Sequence, residues 1–259
     1  MQLQNPKIDV VTISYNSEDT IKRTLDSVLI NRDSINKFII IDGGSKDSTL
    51  NIIKGYSDSI DCLISEPDRG ISDAFNKGIS RSDGDFVLLL NSDDWIEGQS
   101  LLELRRNLSV DDEVVCTLMR SIRQGIPVSV HRSSPNNLPM YSSILHPGTL
   151  INRKIYIEYG NYSEEYKVAM DYEYFSRLYS KKVKFRCIDI QLVNFNEGGL
   201  SGNSPLQIFM EASRIRRIYF NTLIPFRQFF QVLIRLIGML AIKLKIEPQA
   251  RHFKKFFLK

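Results

Sequence analysis

Short apolar runs alternate with amphipathic segments along the first 110 residues. Four runs rich in β-branched side chains predict strands at 8–14, 37–41, 60–64 and 85–90. Each run is apolar at almost every position, which is typical of a strand buried on both faces. The segments between them carry apolar residues at helical spacing, and strands that alternate with helices favour a parallel sheet. The pattern therefore predicts an α/β fold with a Rossmann-like, mostly parallel central sheet flanked by helices.

Polar residues after the first two predicted strands indicate where helices begin. Asn16 and Ser17 offer an N-cap, and the acidic Glu18 and Asp19 suit a first helical turn. After the second strand, a helix is expected to begin near Asp47, which we interpret as a cap or turn residue. These signals place polar loops at the end of each strand.

The following part of the chain, 111–204, is less regular. It predicts strands at 114–119 and 126–130, a short strand within 146–153, a helix at 168–182 and a strand at 183–193. A glycine-rich loop is expected at 194–205. We therefore expect this part to complete the sheet begun by the first half.

The last segment, 206–259, differs from the rest in charge. Residues 205–259 contain 11 Lys and Arg against 2 Asp and Glu, whereas residues 1–204 are net acidic. The longest stretch without a charged side chain has nine residues, well short of the roughly 20 that a membrane-spanning helix needs. Phe and Tyr interleave with the basic residues, which is typical of an amphipathic helix lying on a membrane surface.

Two alternatives for this basic segment remain open. Its apolar face could pack on the rest of the chain as a core helix, or form a homodimer contact. Nucleic acid is not expected as a partner, because so apolar a face does not suit a phosphate backbone. Membrane binding is the interpretation that the interleaved pattern favours.

The number of cysteines and the first residues of the chain indicate in which cellular compartment the protein is expected. Three cysteines lie far apart without a CxxC pair, which argues against a disulfide framework and against a structural zinc site. The N-terminal residues lack the basic and apolar regions of a signal peptide. We therefore expect a cytoplasmic protein.

The loops that follow the predicted strands are polar and acidic. Tyr15, Asn16, Asp42, Asp68 and Asp93 each come directly after one of these strands. Ligands of open α/β sheets bind outside the carboxyl ends of the strands, so these side chains are expected along one rim. Carboxylates on a shared rim repel one another unless a cation is present. The sequence therefore predicts a functional site at this edge.

The most informative of these loops is Asn91-Ser92-Asp93-Asp94, at the end of the strand predicted at 85–90. A carboxylate held there can bind a hard divalent cation through oxygen. Such a cation can bridge the phosphates of a nucleotide. Asp93 and Asp94 are therefore predicted to bind Mn²⁺ or Mg²⁺.

Further candidate chemistry lies in the second half. Asp171 and Glu173 are two residues apart in a predicted helix, so they cannot share one face. A carboxylate there is either a general base or a residue favoured by the helix dipole. His146, before Pro147 and Gly148, is the only histidine expected in a pocket. Serine-hydrolase chemistry has little support, because the sequence contains no GxSxG motif.

Taken together, these motifs resemble those of a bacterial, inverting family 2 glycosyltransferase of the GT-A fold. The resemblance extends to the type that builds O-antigen, capsule and exopolysaccharide repeats, and it runs from about Ile8 to about Ser201. The motifs, in the family's order and spacing, are VTISYN, IDGGSKDST, SEPDRGISDAFNKGI, GDFVLLLNSDD, HPGTLINR and AMDYEYFSRL. The resemblance implies a GT-A fold followed by an amphipathic helical tail.

The resemblance also implies roles for individual residues. Asp93, with Asp94, would bind the metal as part of the family's DxD motif, and Asp171 would be the catalytic base. The nucleotide-sugar donor would be held by Thr12, Ser14, Tyr15, Asn16, Asp42, Asp68, Asn76, Asn91 and Ser92. The candidates for the acceptor side and the closing loop are His146, Glu173, Glu197 and Ser201.

Two positions depart from the family's pattern. The DxD motif often begins with Asp, where this chain has Asn91, which brings no charge to the metal. The common DDGS sequence reads DGGS, with Gly43 in place of the second Asp. Both departures remove a carboxylate from the expected donor site.

We therefore predict a metal-dependent enzyme that moves a sugar from a nucleotide diphosphate donor, expected to be a UDP-sugar, to a hydroxyl with inversion. The acceptor would be a polyprenyl-diphosphate-linked glycan, and the enzyme would lie on the inner face of the bacterial plasma membrane. The predicted organisation is a donor half at 1–110, an acceptor and catalytic half at 111–205, and the basic tail at 206–259.

Two other functions remain as alternatives. A degenerate transferase fold that binds nucleotide or glycan without turnover is favoured by Asn91 and disfavoured by the three aspartates Asp93, Asp94 and Asp171. A sugar nucleotidyltransferase also uses an α/β sheet and a metal, but it usually carries an N-terminal glycine-rich and basic phosphate loop, which this sequence lacks.

Overall fold

The computed structural model describes residues 5–197 and 205–222. The strands are β1 (Ile8–Ser14), β2 (Lys37–Asp42), β3 (Cys62–Ser65), β4 (Phe86–Asn91), β5 (Trp95–Ile96), β6 (Val114–Arg123), β7 (Ile126–Arg132), β8 (Thr149–Asn152) and β9 (Phe185–Asn196). The helices are α1 (Ile21–Ile30), α2 (Thr49–Lys54), α3 (Ile71–Arg81), α4 (Ser100–Asn107), α5 (Arg153–Tyr159), α6 (Met170–Ser180) and α7 (Pro205–Phe220). All the strands join one sheet in the order β3-β2-β1-β4-β8-β6-β9-β5, with β7 beside β6.

The sheet is parallel in its first half and mixed in its second. Strands β3, β2, β1 and β4 pair in parallel, as the sequence predicts. Strand β8 runs antiparallel to both β4 and β6, whereas β6 and β9 are again parallel. The α/β class with flanking helices is confirmed, and the antiparallel pairs make the whole sheet more mixed than the sequence indicates.

Both faces of the sheet are covered, which explains why the first strands are apolar at consecutive positions. Val10 and Ile40 pack with Leu25 of α1 on one face. Val11 and Ile41 belong to the core on the opposite face, which also receives side chains of α3, α6 and α7. Because the residues of β1 face these two cores in turn, β1 is buried along its whole length, whereas the edge strand β3 is only partly buried and not buried on both faces as its sequence predicts.

The first helix begins later than the sequence indicates. Asn16 has a left-handed backbone with φ of 47°, so the chain cannot enter a helix there, and α1 begins at Ile21. The carboxylate of Glu18 accepts the N–H of Ser48 at 2.8 Å instead of lying in a helical turn. Asp47 accepts the first N–H of α2 at 3.0 Å, so its interpretation as a cap is confirmed.

Three short elements were not predicted from the sequence. They are the two-residue strand β5 and the helices α4 and α5. Strand β5 follows the Asn91-Ser92-Asp93-Asp94 turn, and its Trp95 pairs with Asn194 of β9. Strand β9 therefore extends to Asn196, into the segment expected to be a loop. Each of these elements is too short for its periodicity to stand out.

The first part of the predicted tail packs against the body of the protein. Helix α7 lies against α6, and its Ile215 and Arg216 are buried. For Pro205–Phe220, the packing alternative is therefore the one observed. The remainder of the predicted tail, 223–259, lies outside the described residues, as does Ser201 in the predicted closing loop. None of the helices in the described part of the chain combines the length and apolarity needed to cross a membrane.

Candidate active site

The carboxyl ends of the parallel strands are in register. Ser14 of β1 lies opposite Asp42 of β2, and Asp42 lies opposite Ser65 of β3. On the other side of β1, Ile13 lies opposite Asn91 of β4. The loops that follow these strands therefore start from one edge of the sheet, as the sequence predicts.

Asp42 organises this edge. Its fully buried carboxylate accepts the hydroxyl of Ser14 at 3.2 Å, that of Ser65 at 2.7 Å and that of Ser45 at 2.5 Å. It also accepts the N–H groups of Gly44 and Ser45 at 3.2 and 3.0 Å. Five donors balance this charge, so the expectation of an uncompensated carboxylate is wrong for Asp42. Its role is to hold the ends of three strands together.

Tyr15, Gly43 and Asp68 form one small surface beside this hub. A Cβ atom added to Gly43 would lie 2.3 Å from Oδ2 of Asp68 and 3.4 Å from the ring of Tyr15. The Tyr15 side chain is 58% exposed, and Oδ1 of Asp68 accepts the N–H of Gly70 at 2.9 Å. An exposed aromatic face beside a carboxylate can stack on a flat ring and accept hydrogen bonds from its edge.

Side-chain contacts tie the loops after β1, β2 and β4 together. The backbone N–H of Asn16 donates to the hydroxyl of Ser45 at 2.9 Å, and Oδ1 of Asn16 accepts the N–H of Lys46 at 2.9 Å. The hydroxyls of Ser17 and Ser92 are 2.7 Å apart. The left-handed Asn16 is thus fixed by the neighbouring loop, and the edge forms a connected frame.

The two adjacent aspartates after β4 have different surroundings. Asp94 is fully buried, and its carboxylate accepts Nδ2 of Asn91 at 3.2 Å and the N–H of Asn196 at 3.0 Å. Burial and the neighbouring Asp93 hold the pKa of Asp94 well above its usual range. Asp93 is half-buried, and burial raises its pKa as well. Among the described residues, no side chain donates a hydrogen bond to the Asp93 carboxylate, whose charge is stabilised by its own backbone N–H and by the nearby Arg23.

These two carboxylates fit a single divalent cation whose remaining ligands come from outside the chain. Burial raises the pKa of both groups, and a hard cation with oxygen ligands would favour their ionised form. Residues 5–197 and 205–222 contain no group of three or more His, Cys, Asp or Glu side chains that could hold a metal on their own. Phosphate oxygens and water would supply the other ligands, as is usual for Mg²⁺.

A stacking contact between Arg23 and Trp95 was not predicted from the sequence. The guanidinium of Arg23 lies 3.6 Å from the centroid of the Trp95 ring and donates to the backbone oxygen of Asp93 at 3.2 Å. This stacking fixes the backbone of the acidic turn from the side of α1. No sequence signal connects positions 23 and 95, because the contact depends on how α1 packs against the loop.

Asp171 lies in the first turn of α6, as the sequence predicts. Its carboxylate is half-buried and accepts the N–H of Tyr172 at 2.7 Å. Burial raises the pKa of Asp171 to about 6. A carboxylate with a pKa near the working pH can take up a proton efficiently and release it again. This placement suits the general base that the sequence predicts at Asp171.

Residues 9–183, more than half of the chain, match the model of Glycosyl transferase family 2. The chain belongs to this family. It is 27% identical to an uncharacterised glycosyltransferase of Mycobacterium tuberculosis over 224 residues, which is 81% of this chain and 83% of that protein.

Solved structures are similar in fold. Residues 1–349 of Staphylococcus aureus TarS in complex with UDP-GlcNAc superpose with a TM-score of 0.68 at 18% identity, covering 95% of this chain and 77% of that one. The mannosyltransferase PcManGT of Pyrobaculum calidifontis, in complex with GDP-Man and Mn²⁺, gives a TM-score of 0.60 at 15% identity, covering 81% of this chain and 64% of that one. The predicted GT-A-like fold is thereby confirmed.

In this glycosyltransferase, His146 lies in the core and not in the pocket expected from the sequence. It is buried, with its ring centroid 5.1 Å from that of Phe75 and its Nε2 3.1 Å from the hydroxyl of Tyr162. Burial lowers the pKa of His146 to about 4, so the ring is neutral at physiological pH. Its role in the enzyme is to fill an aromatic cluster.

Glu173, the second carboxylate of the predicted pair, is engaged by other residues. It is 2% exposed, and its Oε1 accepts Nε of Arg177 at 3.1 Å and the hydroxyl of Tyr219 at 2.5 Å. Glu173 therefore connects α6 to α7.

Three further predicted site residues have structural surroundings instead. The amide of Asn76 bonds both the carbonyl oxygen and the N–H of Tyr162, at 2.9 and 3.0 Å. Thr12 is fully buried in β1, and its hydroxyl has no hydrogen-bond partner within the described residues. Glu197 forms an ion pair with Arg123 at 2.6 Å. The donor roles expected for Asn76 and Thr12 and the acceptor role expected for Glu197 stay predictions.

Proposed function

We propose that this glycosyltransferase moves a sugar from a UDP-sugar to a hydroxyl of a lipid-linked glycan, with inversion at the anomeric carbon. The observation that carries the proposal is that two carboxylates lie on separate elements of this family's fold, Asp93 after β4 and Asp171 at the start of α6, where burial raises the pKa of Asp171 to about 6. A base of this strength is suited to the acceptor hydroxyl, whereas the acidic turn after β4 is suited to the donor diphosphate. The two tasks are thus assigned to separate elements of the fold.

The reaction follows as a single displacement. Asp171 takes the proton of the acceptor hydroxyl as its oxygen bonds to the anomeric carbon, and the bond from that carbon to the diphosphate oxygen breaks. The nucleoside diphosphate leaves from the opposite face, so the configuration inverts and no covalent enzyme intermediate is needed. Mn²⁺ or Mg²⁺ held by Asp93 would supply positive charge that stabilises the leaving diphosphate.

The surface of Tyr15 and Asp68 supports a uracil nucleotide. Tyr15 presents an exposed ring, and Asp68 presents a carboxylate beside it that can accept the N–H of a base edge. TarS, which shares the fold, binds UDP-GlcNAc. Ser14 and Asn16, at the same sheet edge, would complete the contacts with the ribose and base.

A donor screen tests the proposed activity. Nucleotide release would be measured with Mn²⁺ for UDP-GlcNAc, UDP-glucose, UDP-galactose and GDP-mannose, with an undecaprenyl-diphosphate-linked sugar as acceptor. We expect one UDP-sugar to be consumed only when the acceptor is present. Tight binding of a nucleotide without consumption of any donor would instead support the non-catalytic binding module that Asn91 favours.

Replacing Gly43 by Ala is expected to weaken UDP binding by about tenfold, the loss of one hydrogen bond to a charged group. The new methyl group would meet Oδ2 of Asp68 at 2.3 Å and displace that carboxylate from Tyr15. Gly43 does not have a positive φ, so backbone strain would not contribute. Calorimetric titration with UDP and Mn²⁺ measures the effect.

Gly55→Ala is the matched control for this change. Gly55 ends α2 with an ordinary helical backbone, φ of −64°, far along the chain from the strand ends. The affinity of the Gly55→Ala variant for UDP should equal that of the wild type. An unchanged affinity in Gly43→Ala would show that Asp68 does not contact the nucleotide.

The acceptor and the location of the enzyme are proposed from its last residues. The outward side of α7 exposes Leu206, Met210 and Ile218, by 51%, 62% and 54%, together with the basic Arg217. The sequence that follows, 223–259, interleaves Phe with Lys and Arg. We propose that α7 and this sequence bind the inner face of the bacterial plasma membrane, where a polyprenyl-linked acceptor of surface polysaccharide synthesis would be found.

Full-length protein is expected to sediment with anionic phosphatidylglycerol vesicles at low salt, whereas a chain ending at residue 222 should stay in the supernatant. Each basic residue near such a surface contributes roughly 1 kcal/mol. The shorter chain ends after α7, because removing α7 would expose the buried Ile215 and disturb the body. If both proteins stay in the supernatant, the segment is not a membrane anchor, and a size measurement by light scattering would then test the dimer.

A further inference from the structure

The segment that leads into the helix carrying Asp171 is held by a side chain of another helix. Ala169 precedes α6, and no side chain of the described residues at that terminus caps the helix from within. Glu211 of α7 reaches across instead. Its carboxylate accepts the N–H groups of Lys167, Val168 and Ala169 at 3.1, 3.1 and 2.9 Å. Three consecutive backbone donors next to the proposed base thus converge on one side chain.

We propose that Glu211 is a positioning residue that holds the 167–169 segment, and through it the Asp171 carboxylate, in place for proton transfer. The proposal rests on the role of Asp171 as the base. Asp171 is two residues beyond Ala169 in the first turn of α6. A shift of the 167–169 backbone therefore moves Asp171 directly, and a displacement of about 1 Å can cost about 10²-fold in rate.

The Glu211 carboxylate is well suited to this task. Although burial opposes ionisation, the three N–H groups hold the pKa of Glu211 below its usual range. The side chain is therefore charged at neutral pH, and hydrogen bonds to a charged acceptor are stronger than neutral ones. Gln207, one turn earlier in α7, donates to Oε1 of Glu211 at 2.9 Å and fixes the orientation of the carboxylate. The negative charge also favours the N-terminus of α6.

Helix α7 is itself held firmly, so it can act as a fixed support. The side chain of Ile215, in the second half of α7, is buried. Near the end of α7, the hydroxyl of Tyr219 donates to the carboxylate of Glu173 in α6. The match to the family ends at residue 183, so this support comes from chain that follows the matched region. Helix α7 would thus serve catalysis as well as any membrane contact.

Hydrogen exchange and catalysis in full-length Glu211 variants test the proposal. In Glu211→Ala, exchange of the amides of 167–169 should accelerate by about tenfold or more, since three hydrogen bonds are lost. In Glu211→Gln, which keeps one acceptor oxygen, the acceleration should be smaller. Glu165→Gln is the matched control, because Glu165 also connects this loop to α7 but through an exposed ion pair with Arg214, at 2.7 Å.

The rate is measured as single-turnover transfer to the lipid-linked acceptor from the UDP-sugar that the donor screen selects, a reaction in which Asp171 removes the proton of the acceptor hydroxyl. Normalising the rate to the number of UDP-binding sites removes any effect of misfolded protein. We expect a fall of about 10²-fold in Glu211→Ala, a smaller fall in Glu211→Gln, and unchanged affinity for UDP. Glu165→Gln should behave as the wild type in both measurements.

The outcomes separate this proposal from the one on which it rests. Unchanged exchange of 167–169 in both Glu211 variants overturns it, and so does faster exchange with an unchanged rate per site. In either case Asp171→Asn would remain inactive and the proposed function would stand. If Asp171→Asn keeps the wild-type rate, the base itself is misassigned, and the positioning role falls with it. If Glu211→Ala fails to fold, Glu211→Gln alone decides.

Discussion

Replacing Asp171 by Asn is expected to reduce sugar transfer by about 10²–10⁴-fold, the usual contribution of a general base. The amide keeps the size of the carboxylate and can still accept the N–H of Tyr172, so the start of α6 should be unchanged. It cannot take the proton of the acceptor. Affinity for UDP should be preserved, because Asp171 belongs to α6 and not to the strand-end loops. Single-turnover transfer and UDP titration measure the two effects.

The dependence of the rate on pH is an independent test of Asp171 as the base. Burial raises the pKa of Asp171 to about 6, and the base must be deprotonated to act. The turnover of the wild type should therefore fall as the pH is lowered through about 6, with one proton taken up. The residual activity of Asp171→Asn should lack this limb.

Glu173→Gln is the control for the Asp171 substitution. Glu173 bonds Arg177 and Tyr219, so its loss should lower the melting temperature while the acidic limb of the rate profile persists. Near wild-type turnover in Asp171→Asn would contradict the assignment. Loss of the limb in Glu173→Gln, with the limb kept in Asp171→Asn, would transfer the role to Glu173.

Asp93→Ala is expected to abolish the Mn²⁺ dependence of nucleotide binding. In the wild type, Mn²⁺ should raise the affinity for UDP by at least about tenfold, because it would offset the negative charge of both the diphosphate and the two adjacent aspartates after β4. The variant should bind UDP equally with Mn²⁺ and with EDTA. Calorimetric titration under both conditions, supported by the shift in melting temperature with Mn²⁺ and UDP, gives the comparison.

Asp94→Asn distinguishes the two aspartates. Asp94 is buried and its carboxylate is occupied by Asn91 and Asn196, so its amide should retain part of the Mn²⁺ dependence. If instead Asp93→Ala keeps the full dependence and Asp94→Asn loses it, the cation is held by the buried residue. Glu97, beyond the turn and bonded to Asn194 and Arg120, is a suitable unrelated acidic position for a further control variant.

Much of the fold could be predicted because its signals are local. Strands β1, β2 and β4 are continuous apolar runs and are buried as a run of that kind requires, whereas β3, at the edge of the sheet, is only partly buried. The polar residues after them meet because parallel strands share one edge, which is a consequence of topology alone. The acidic turn after β4 and Asp171 were found from the same kind of local pattern.

The remaining features depend on contacts that no local pattern encodes. The amide of Asn76 bonds the backbone of Tyr162, 86 positions further along the chain. Nothing in the sequence distinguishes such an asparagine from one that binds a ligand. His146 is surrounded by Phe75 and Tyr162, which come from two other parts of the chain. The support that Glu211 gives to α6 spans more than 40 positions. Periodicity and spacing carry no information about such pairs.

The narrow space between Gly43 and Asp68 makes these two positions depend on each other. A Cβ on residue 43 would approach Oδ2 of Asp68 to 2.3 Å, so a larger side chain there would turn that carboxylate aside. Substitutions at positions 43 and 68 are therefore expected to be coupled, and not additive, in their effect on the nucleotide.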